Sequence, residues 1–251
     1  MSKPEKKLSY KRYAIAYMDI LGTKEAIESC YAENLLNRFN SVFLIEDVII
    51  KNKLFCENNS PVHVKIFSDN ICVAEEIKDE KYEHIQLAWL AERCRDFQRH
   101  VYENYGNFLM RGGITIGDLY IDDTFVLGSG LIDAYKLECE KAKYPRIIID
   151  EKYAEKSIEY LKDAHLRINN GKGKCAIVKD EDGVYFLDYL EPDPHGIDDS
   201  MEFTLEWIRQ DNVTLNRILN NSAKCPKEKI DWLKNYHKKI KNAYGFKEEN
   251  K

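Results

Sequence analysis

The stretch from Tyr13 to Thr23 constrains the fold of this chain more than any other segment. Its first six residues, Tyr13–Met18, carry no charge, a pattern typical of a strand that is buried on both faces. The strand ends in a carboxylate, Asp19, and after four intervening residues a helical pattern begins at Lys24. Such an acid contributes little to stability. It is well placed to hold a cation against a phosphate, because a helix N-terminus offers free backbone N–H groups.

A second acid follows in a similar context. Asp69 lies in VKIFSDNICVAEE, where Val62–Phe67 and Ile71–Glu75 predict a tight hairpin with Ser68-Asp69-Asn70 at its tip. Each aspartate alone has an ordinary explanation, as a helix N-cap or as a turn residue. Because Asp19 closes an apolar strand, the two acids together favour a metal site.

The chemistry of such a pair is specific. Two carboxylates at neighbouring strand ends can bind Mg²⁺ or Mn²⁺, which take oxygen ligands and substrate phosphate. Paired metals about 3.5–4 Å apart stabilise the attacking and the leaving oxygen of an in-line displacement. The Ile20 carbonyl offers a further oxygen, and Leu21, Gly22 and Thr23 offer N–H groups to a triphosphate tail. We therefore expect two divalent cations, Mn²⁺ or Mg²⁺, as cofactors.

The composition limits the class of protein. A chain of 251 residues accommodates one domain with an extension, and 44% hydrophobic residues support a packed core. The net charge of -5 argues against a general nucleic-acid binder. The seven cysteines form no C-x-x-C pair, which favours reduced thiols over disulfides or a zinc site. The charged start has no apolar signal segment, and Glu46 and Asp47 interrupt the longest apolar run. We expect a cytoplasmic protein without a membrane span or a nucleic-acid partner.

Further periodicities predict the order of helices and strands. Helical spacing is found at 24–55, 81–105, 128–141, 150–161, 200–220 and 226–244, and strand patterns at 108–116, 119–127, 146–149, 175–178 and 184–190. The order strand–helix–hairpin–helix–strand is the split βαβ plan. We therefore predict an α+β, ferredoxin-like βαββαβ domain over 1–190, then a linker and a C-terminal helical extension over 191–251. A solvated face is favoured over a phosphate or partner surface for the lysines of the last helix.

Four motifs resemble those of a known family. YMDILGTKE, KIFSD, MRGGITIGDLY and LGSGLIDAYKLE resemble the successive motifs of the class III nucleotidyl cyclase catalytic domain, over roughly residues 12–150. Each motif is short, but four in order are moderately specific. The stretch GSGLIDAYKLECEKAKYPRI is similar to the bacterial pyrimidine cyclases of antiphage (Pycsar) defence, which make cyclic UMP or cyclic CMP to switch on a co-encoded effector.

The resemblance implies the class III nucleotidyl cyclase fold and a homodimer with active sites at the subunit interface. It implies that Asp19, Asp69 and the Ile20 carbonyl bind metal, and that the 3′-hydroxyl of a bound nucleoside triphosphate attacks the α-phosphate and releases pyrophosphate. Lys65 falls where purine cyclases keep a base-contacting lysine. Strand alternation places Tyr17 on the same face as Asp19, where it packs on the nucleotide or serves as a core tyrosine.

Three positions depart from the purine cyclases. Those enzymes keep a base-reading polar group, an asparagine and an arginine where this chain has Ser129, Ile132 and Lys136. The side chain of Ile132 has no hydrogen-bonding group, and lysine lacks the planar pair of donors that lets arginine bind two oxygens at once. Either the chemistry is lost, or another cation neutralises the developing charge. The candidates are Arg111, Lys136 and Arg146, with a structural salt bridge as the alternative for Arg111.

We therefore expect a metal-dependent pyrimidine nucleotide cyclase that converts UTP or CTP to the 3′,5′-cyclic nucleotide and pyrophosphate in antiphage defence. A small base is compatible with the three substitutions, which do not choose uracil over cytosine. Two alternatives stay open. One is an inactive cyclase-like domain that binds nucleotide as a sensor. The other is a different palm-type nucleotidyltransferase, which would make linked dinucleotides.

Overall fold

The computed structural model describes residues 8–23, 62–105, 108–168, 173–196, 198, 200–221 and 226–246. The predicted helix at 24–55 lies outside these ranges. The strands are β1 (Lys11–Leu21), β2 (Val62–Phe67), β3 (Asn70–Glu76), β4 (Leu109–Ile121), β5 (Val126–Leu127), β6 (Ile147–Ile149), β7 (Ile177–Lys179) and β8 (Tyr185–Leu187). The helices are α1 (Glu83–Tyr105), α2 (Ser129–Lys136), α3 (Glu151–Ile168), α4 (Met201–Asn221) and α5 (Lys227–Ala243). A short 3₁₀ helix (Glu80–Tyr82) precedes α1, and a π-helical turn (Leu137–Lys141) follows α2 directly.

The described strands form one sheet in the order β2-β3-β1-β4-β6-β8-β7, and β5 pairs with β4. The pairings of β1 with β3, β1 with β4 and β2 with β3 are all antiparallel. This order, with α1 between β3 and β4, is that of the split βαβ plan. The predicted α+β, ferredoxin-like arrangement is therefore confirmed. Strand β6 joins β4 in parallel, and the β7–β8 hairpin extends the sheet beyond it.

Strand β1 lies inside the sheet because both of its faces are apolar. Alternate residues from Ala14 to Ile20 pack in a core cluster with residues of α1 and α3. The intervening residues, from Tyr13 to Tyr17, pack on the opposite face with Ala134 of α2. Burial on both faces explains the nearly uncharged run. Polar chemistry is therefore confined to the end of the strand.

The segment 109–121 is one continuous strand, whereas the sequence predicted two strands with a turn at 117–118. The prediction was wrong because β1 pairs with β4 along eleven residues and holds the segment extended. Gly117 lies opposite Tyr13, and a Cβ at this glycine would stand 2.4 Å from the Cα of Gly130. This glycine therefore permits the close approach of α2 to the sheet and forms no turn.

The C-terminal helices pack against the sheet. Helices α4 and α5 share one core cluster with β6 and β8, which includes Ile148, Phe186 and Leu233. The Tyr102 hydroxyl of α1 lies 2.8 Å from Nε2 of His237 in α5. Among the described residues, no helix has the length and apolar character needed to cross a membrane. The division of the chain after residue 190 stays a prediction.

Candidate functional site

Asp19 and Asp69 lie beside each other where β1 meets the tip of the β2–β3 hairpin. Asp19 faces Asn70 in the register, and the Ile20 N–H donates to the Asp69 carbonyl oxygen at 3.1 Å. The hairpin tip is a two-residue turn in which Ser68 has a φ of +60°. The structure thus brings together the two aspartates that the sequence singled out. Their role as metal ligands stays a prediction.

A short chain of hydrogen bonds links Tyr17 to Asp69. The Tyr17 hydroxyl donates to Oδ1 of Asn70 at 2.7 Å, and Nδ2 of Asn70 donates to Oδ1 of Asp69 at 3.2 Å. Burial, together with the charges of Glu138 and Asp19, raises the pKa of Tyr17 to about 12. The hydroxyl therefore keeps its proton at neutral pH and acts as a hydrogen-bond donor.

Aromatic rings surround Tyr17 on the α2 face of the sheet. Its ring centroid lies 6.2 Å from that of Phe67 and 5.5 Å from that of Tyr135. Lys65 belongs to the same row of the sheet, since Cys72 pairs with Tyr17 on one side and with Lys65 on the other. Two of the predicted substrate-binding residues are therefore in register on neighbouring strands.

Arg111 lies directly across from Asp19 in the pairing of β1 with β4. Its Nε donates to Oδ2 of Asp19 at 3.2 Å and also lies 2.7 Å from Oε1 of Glu138. The Glu138 side chain is 4% exposed, against 17% for Asp19 and 26% for Arg111. One cation therefore faces two carboxylates. We call Asp19, Asp69 and Glu138 the acidic cluster.

Burial and mutual repulsion disfavour charge on Asp19 and Glu138. The pKa of Asp19 is raised, mainly by burial and also by the charge of Asp69, although Arg111 opposes the shift through a hydrogen bond and its charge. Burial also raises the pKa of Glu138, which Arg111 lowers and Asp19 raises. The half-buried Lys229 of α5 lowers the pKa of both Asp19 and Glu138. Asp19 and Glu138 thus face two basic side chains, with Asp69 as a third acid near Asp19, and a further cation would relieve the repulsion among the carboxylates.

A glycine on β4 determines where Glu138 lies. A Cβ at Gly113 would stand 2.4 Å from Cβ of Leu137 and 2.6 Å from the carbonyl oxygen of Ala134. The helix backbone can therefore lie directly on the strand. At this point α2 changes into the π-helical turn, a feature that is frequent at functional sites. Glu138 is thereby held against Arg111.

The turn after β1 contains the remaining predicted ligands. Gly22 is exposed with a φ of +86°, a conformation that glycine adopts without strain. The Thr23 hydroxyl donates to the Ile20 carbonyl at 2.8 Å, which leaves that oxygen a second lone pair for a cation. The helix predicted from Lys24 lies outside the described residues. The proposed use of the N–H groups of Leu21, Gly22 and Thr23 stays a prediction.

The three candidate cations have different surroundings. Lys136 ends α2 on its exposed side, and within the described ranges no ion pair joins it to the acidic cluster. Arg146 is buried and pairs with Asp180 and Asp182, so it is a structural residue. Arg111 contacts the acidic cluster directly. The role of Lys136 in catalysis stays a prediction.

Solved structures resemble this fold. The adenylyl cyclase CyaB from P. aeruginosa is 15% identical, with a TM-score of 0.49 over 72% of this chain and 96% of that chain. The catalytic core of a rhodopsin-guanylyl cyclase with converted specificity, in complex with ATPαS, is 14% identical, with a TM-score of 0.42 over 72% and 98%. An adenylate/guanylate cyclase/hydrolase from Silicibacter pomeroyi is 16% identical, with a TM-score of 0.37 over 71% and 95%.

No family model and no curated protein matches the sequence. The identities and TM-scores of the solved structures do not identify an activity. The function of this chain has to be inferred from its own residues.

The oxygen atoms at the site suit a divalent cation. The carboxylates of Asp19 and Asp69 and the Ile20 carbonyl are the hard ligands that Mg²⁺ and Mn²⁺ prefer. The buried Oε1 of Glu138 accepts no hydrogen bond from any described residue, although Nε of Arg111 lies 2.7 Å away. Arg111 is thus the ion-pair partner of this buried oxygen, and the oxygen ligands offered to a cation are those of Asp19, Asp69 and Ile20. As placed, no three His, Cys, Asp or Glu side chains of the described ranges are gathered around one point.

Sequence analysis did not assign Glu138, Asn70 or Lys229 to the site. A signal exists for Glu138, because its spacing of four from Ala134 places it on the buried face of the helix. Asn70 was recognised only as a turn residue. Lys229 was counted among solvated lysines, and its place near the acidic cluster depends on how α5 packs. No local pattern indicates that packing.

Proposed function

We propose that this chain is a metal-dependent nucleotidyl cyclase that converts UTP or CTP into the 3′,5′-cyclic nucleotide and pyrophosphate. The observation that carries the proposal is the 3.1 Å hydrogen bond from the Ile20 N–H to the Asp69 carbonyl. It joins two motifs that are far apart in the sequence and places Asp19 beside Asp69. Paired acids at a strand end suit the cations of a triphosphate.

Each residue of the site has a distinct proposed task. Asp19, Asp69 and the Ile20 carbonyl would hold two Mn²⁺ or Mg²⁺ ions, which supply charge neutralisation and activate the 3′-hydroxyl. The 3′-hydroxyl releases its proton to water and its oxygen bonds to the α-phosphorus, while the bond from the α-phosphorus to the α–β bridging oxygen breaks and that oxygen leaves with pyrophosphate. The terminal amino groups of Arg111 donate no hydrogen bond to a described residue. They are therefore available to phosphate oxygens, and Lys136 is proposed as a second cation.

The side chains exposed on α2 beside Tyr17 are compatible with the small base of a pyrimidine nucleotide. Ile132 is 53% exposed and Tyr135 49% exposed, so this surface offers an apolar side chain and an aromatic ring. The ammonium of Lys65 can donate to the O2 carbonyl that uracil and cytosine share. UTP and CTP are therefore both proposed as substrates.

A second copy of the chain is proposed to cover this face. Large apolar side chains are exposed on or beside α2 and at the end of β2: Phe67, Phe125, Leu127, Ile132 and Tyr135. Exposed large apolar side chains that lie on one face are frequent at interaction sites. The test is analytical sedimentation of the parent chain and of Ile132→Glu. A dimeric parent chain and a monomeric variant would support the homodimer.

One observation favours a second candidate function. Arg111 already pairs with Asp19, as expected of a cyclase-like domain that has lost its metal and binds nucleotide only as a sensor. The missing asparagine and arginine equivalents at Ile132 and Lys136 favour the same alternative.

A substrate screen separates these candidates. The chain is incubated with each of the four ribonucleoside triphosphates and Mn²⁺, and products are identified by mass spectrometry together with pyrophosphate release. Cyclic UMP or cyclic CMP is the expected product. Linked dinucleotides would indicate another palm-type nucleotidyltransferase. Bound nucleotide without any product would indicate the sensor.

The antiphage role is supported only by the motif resemblance. We expect the gene to lie next to one for an effector that senses cyclic nucleotides, either a membrane protein or an NAD-degrading enzyme. Loss of phage resistance on deletion of either gene would support the role, and unchanged resistance would contradict it.

A further inference from the structure

Glu138 is an acid that the proposed mechanism does not use. Its carboxylate is 96% buried, since its side chain is 4% exposed, yet its Oε1 accepts no hydrogen bond from the described residues. Nε of Arg111 lies within bonding distance, at 2.7 Å, but donates to Asp19 at 3.2 Å. The Nε–H group of Arg111 therefore has two carboxylates within reach. It donates to Asp19, and Glu138 is an alternative acceptor.

We propose that Glu138 is a positioning residue that takes over Arg111 when Asp19 turns to a divalent cation. This inference rests on the proposed function, because it requires a cation at Asp19. In the structure described here Arg111 donates to Asp19. In the cation-bound state the same N–H donates to Glu138, and the Asp19 carboxylate is released beside Asp69. The two states differ by which of two neighbouring oxygens receives one hydrogen.

Distances and burial support this exchange. The Arg111–Glu138 pair is already the shorter of the two, so a small rotation of the guanidinium suffices. Glu138 stands on the π-helical turn against Gly113, which limits its own movement. Removing one partner of a poorly solvated charge pair leaves the other charge uncompensated, which is unfavourable. Arg111 therefore does not leave Asp19 unless another carboxylate is ready to receive it.

The exchange also orients Arg111. With Nε fixed on Glu138, the planar guanidinium presents its two terminal amino groups away from the buried carboxylate, in the fork that suits phosphate oxygens. Glu138 thereby acts on the reaction through Arg111 and without touching the substrate.

The test is direct Mn²⁺ binding, measured without turnover from the electron paramagnetic resonance signal of free Mn²⁺. In Glu138→Gln, Arg111 stays on Asp19, and the Mn²⁺ dissociation constant should rise about 10- to 100-fold. Adding Arg111→Met to this variant removes the competitor and should restore affinity to within about threefold of the parent chain. Glu140→Gln changes an exposed acid of the same turn and should leave binding unchanged.

Two results would overturn the inference. Unchanged Mn²⁺ affinity in Glu138→Gln would show that cation binding at Asp19 does not depend on transfer of Arg111 to Glu138. Weak binding in the double variant would show that Glu138 is itself a ligand. If the parent chain binds no Mn²⁺ at all and makes no cyclic product, the proposed function itself has failed, which is a distinguishable result.

A measurement on the unmodified chain covers the case in which Glu138→Gln does not fold. The Nε–H signal of Arg111 is identified in ¹⁵N spectra by its loss in Arg111→Lys. On addition of Mg²⁺ it should shift and stay protected from exchange with water, because Glu138 receives the hydrogen. Rapid exchange after Mg²⁺ addition would contradict the proposal.

Discussion

Gly113 of β4 lies so close to Leu137 that an added Cβ would stand 2.4 Å from the Cβ of that leucine. The same hypothetical atom would lie 3.0 Å from the backbone nitrogen of Glu138. Because Gly113 has no side chain, the π-helical turn can lie this close to the sheet. Since Glu138 faces Arg111 across this contact, the glycine links the packing of the fold to the geometry of the site.

Gly113→Ala is expected to reduce both stability and activity. The added methyl group must displace backbone atoms of Ala134 and Leu137, and overpacking of this kind costs about 1–3 kcal/mol. Urea denaturation measures the loss. Gly245→Ala is the control, because no atom lies within 4 Å of its added Cβ and only its φ of +79° opposes it, at a cost of about 1 kcal/mol. If the parent chain has the proposed activity, unchanged activity in Gly113→Ala would contradict the link between this contact and the site.

If the proposed function holds, Asp69→Asn is expected to abolish turnover and to leave the proposed dimer intact. The amide keeps the hairpin turn but lacks the charge that would hold a cation, so kcat should fall by more than about 100-fold. Pyrophosphate release measures activity, and sedimentation measures the oligomeric state. Asp133→Asn, at an exposed position of α2, is the matched control. Full activity in Asp69→Asn would exclude the metal assignment.

Asp188 should make the stability of the chain depend on pH. Its pKa is raised from 3.8 to about 6, mainly by burial. The charge of Glu191 also raises the pKa, whereas the hydrogen bond from Tyr236 and the charges of Arg95 and Lys239 lower it. The folded chain therefore binds this proton more tightly than the unfolded chain does. The stabilisation is complete below about pH 4 and is lost as the pH rises through about 6, by up to about 3 kcal/mol.

Asp188→Asn tests this dependence, because the amide cannot ionise and still offers an oxygen to Tyr236. Relative to the parent chain, the variant should gain up to about 3 kcal/mol in free energy of unfolding between pH 4 and pH 7. Denaturation curves at both pH values measure the difference. Parallel pH profiles for the two chains would exclude a raised pKa at Asp188.

His237 should be important for the packing of the C-terminal helices. Its Nε2 lies 2.8 Å from the Tyr102 hydroxyl, and its Nδ1 contacts the buried carboxylate of Asp211. His237→Phe keeps most of the volume and removes the contact of Asp211 with the imidazole, which should cost about 1.5–3 kcal/mol. Adding Asp211→Leu should restore part of this loss. Additive losses in the double variant would show that the two residues do not act as a pair.

Local pattern was sufficient for much of the fold. The uncharged run of β1, the polar tip of the β2–β3 hairpin and the helical spacing of α1 each depend on neighbours in the sequence. Their boundaries follow from which faces are apolar and from turn residues. The positions of Asp19 and Asp69 at neighbouring ends could be predicted for the same reason, since both follow from the ends of recognisable strands.

Contacts between distant segments decided what the sequence could not. The segment 109–121 reads locally as two strands, but pairing with β1 makes it one, because backbone hydrogen bonds along the whole edge outweigh the turn preference of Gly117. The sequence by itself determined which acids lie near the strand ends, although β1 continues two residues beyond Asp19. Only the tertiary structure decided that Arg111 stands between Asp19 and Glu138, because the burial of each charge depends on partners that come from three separate parts of the chain.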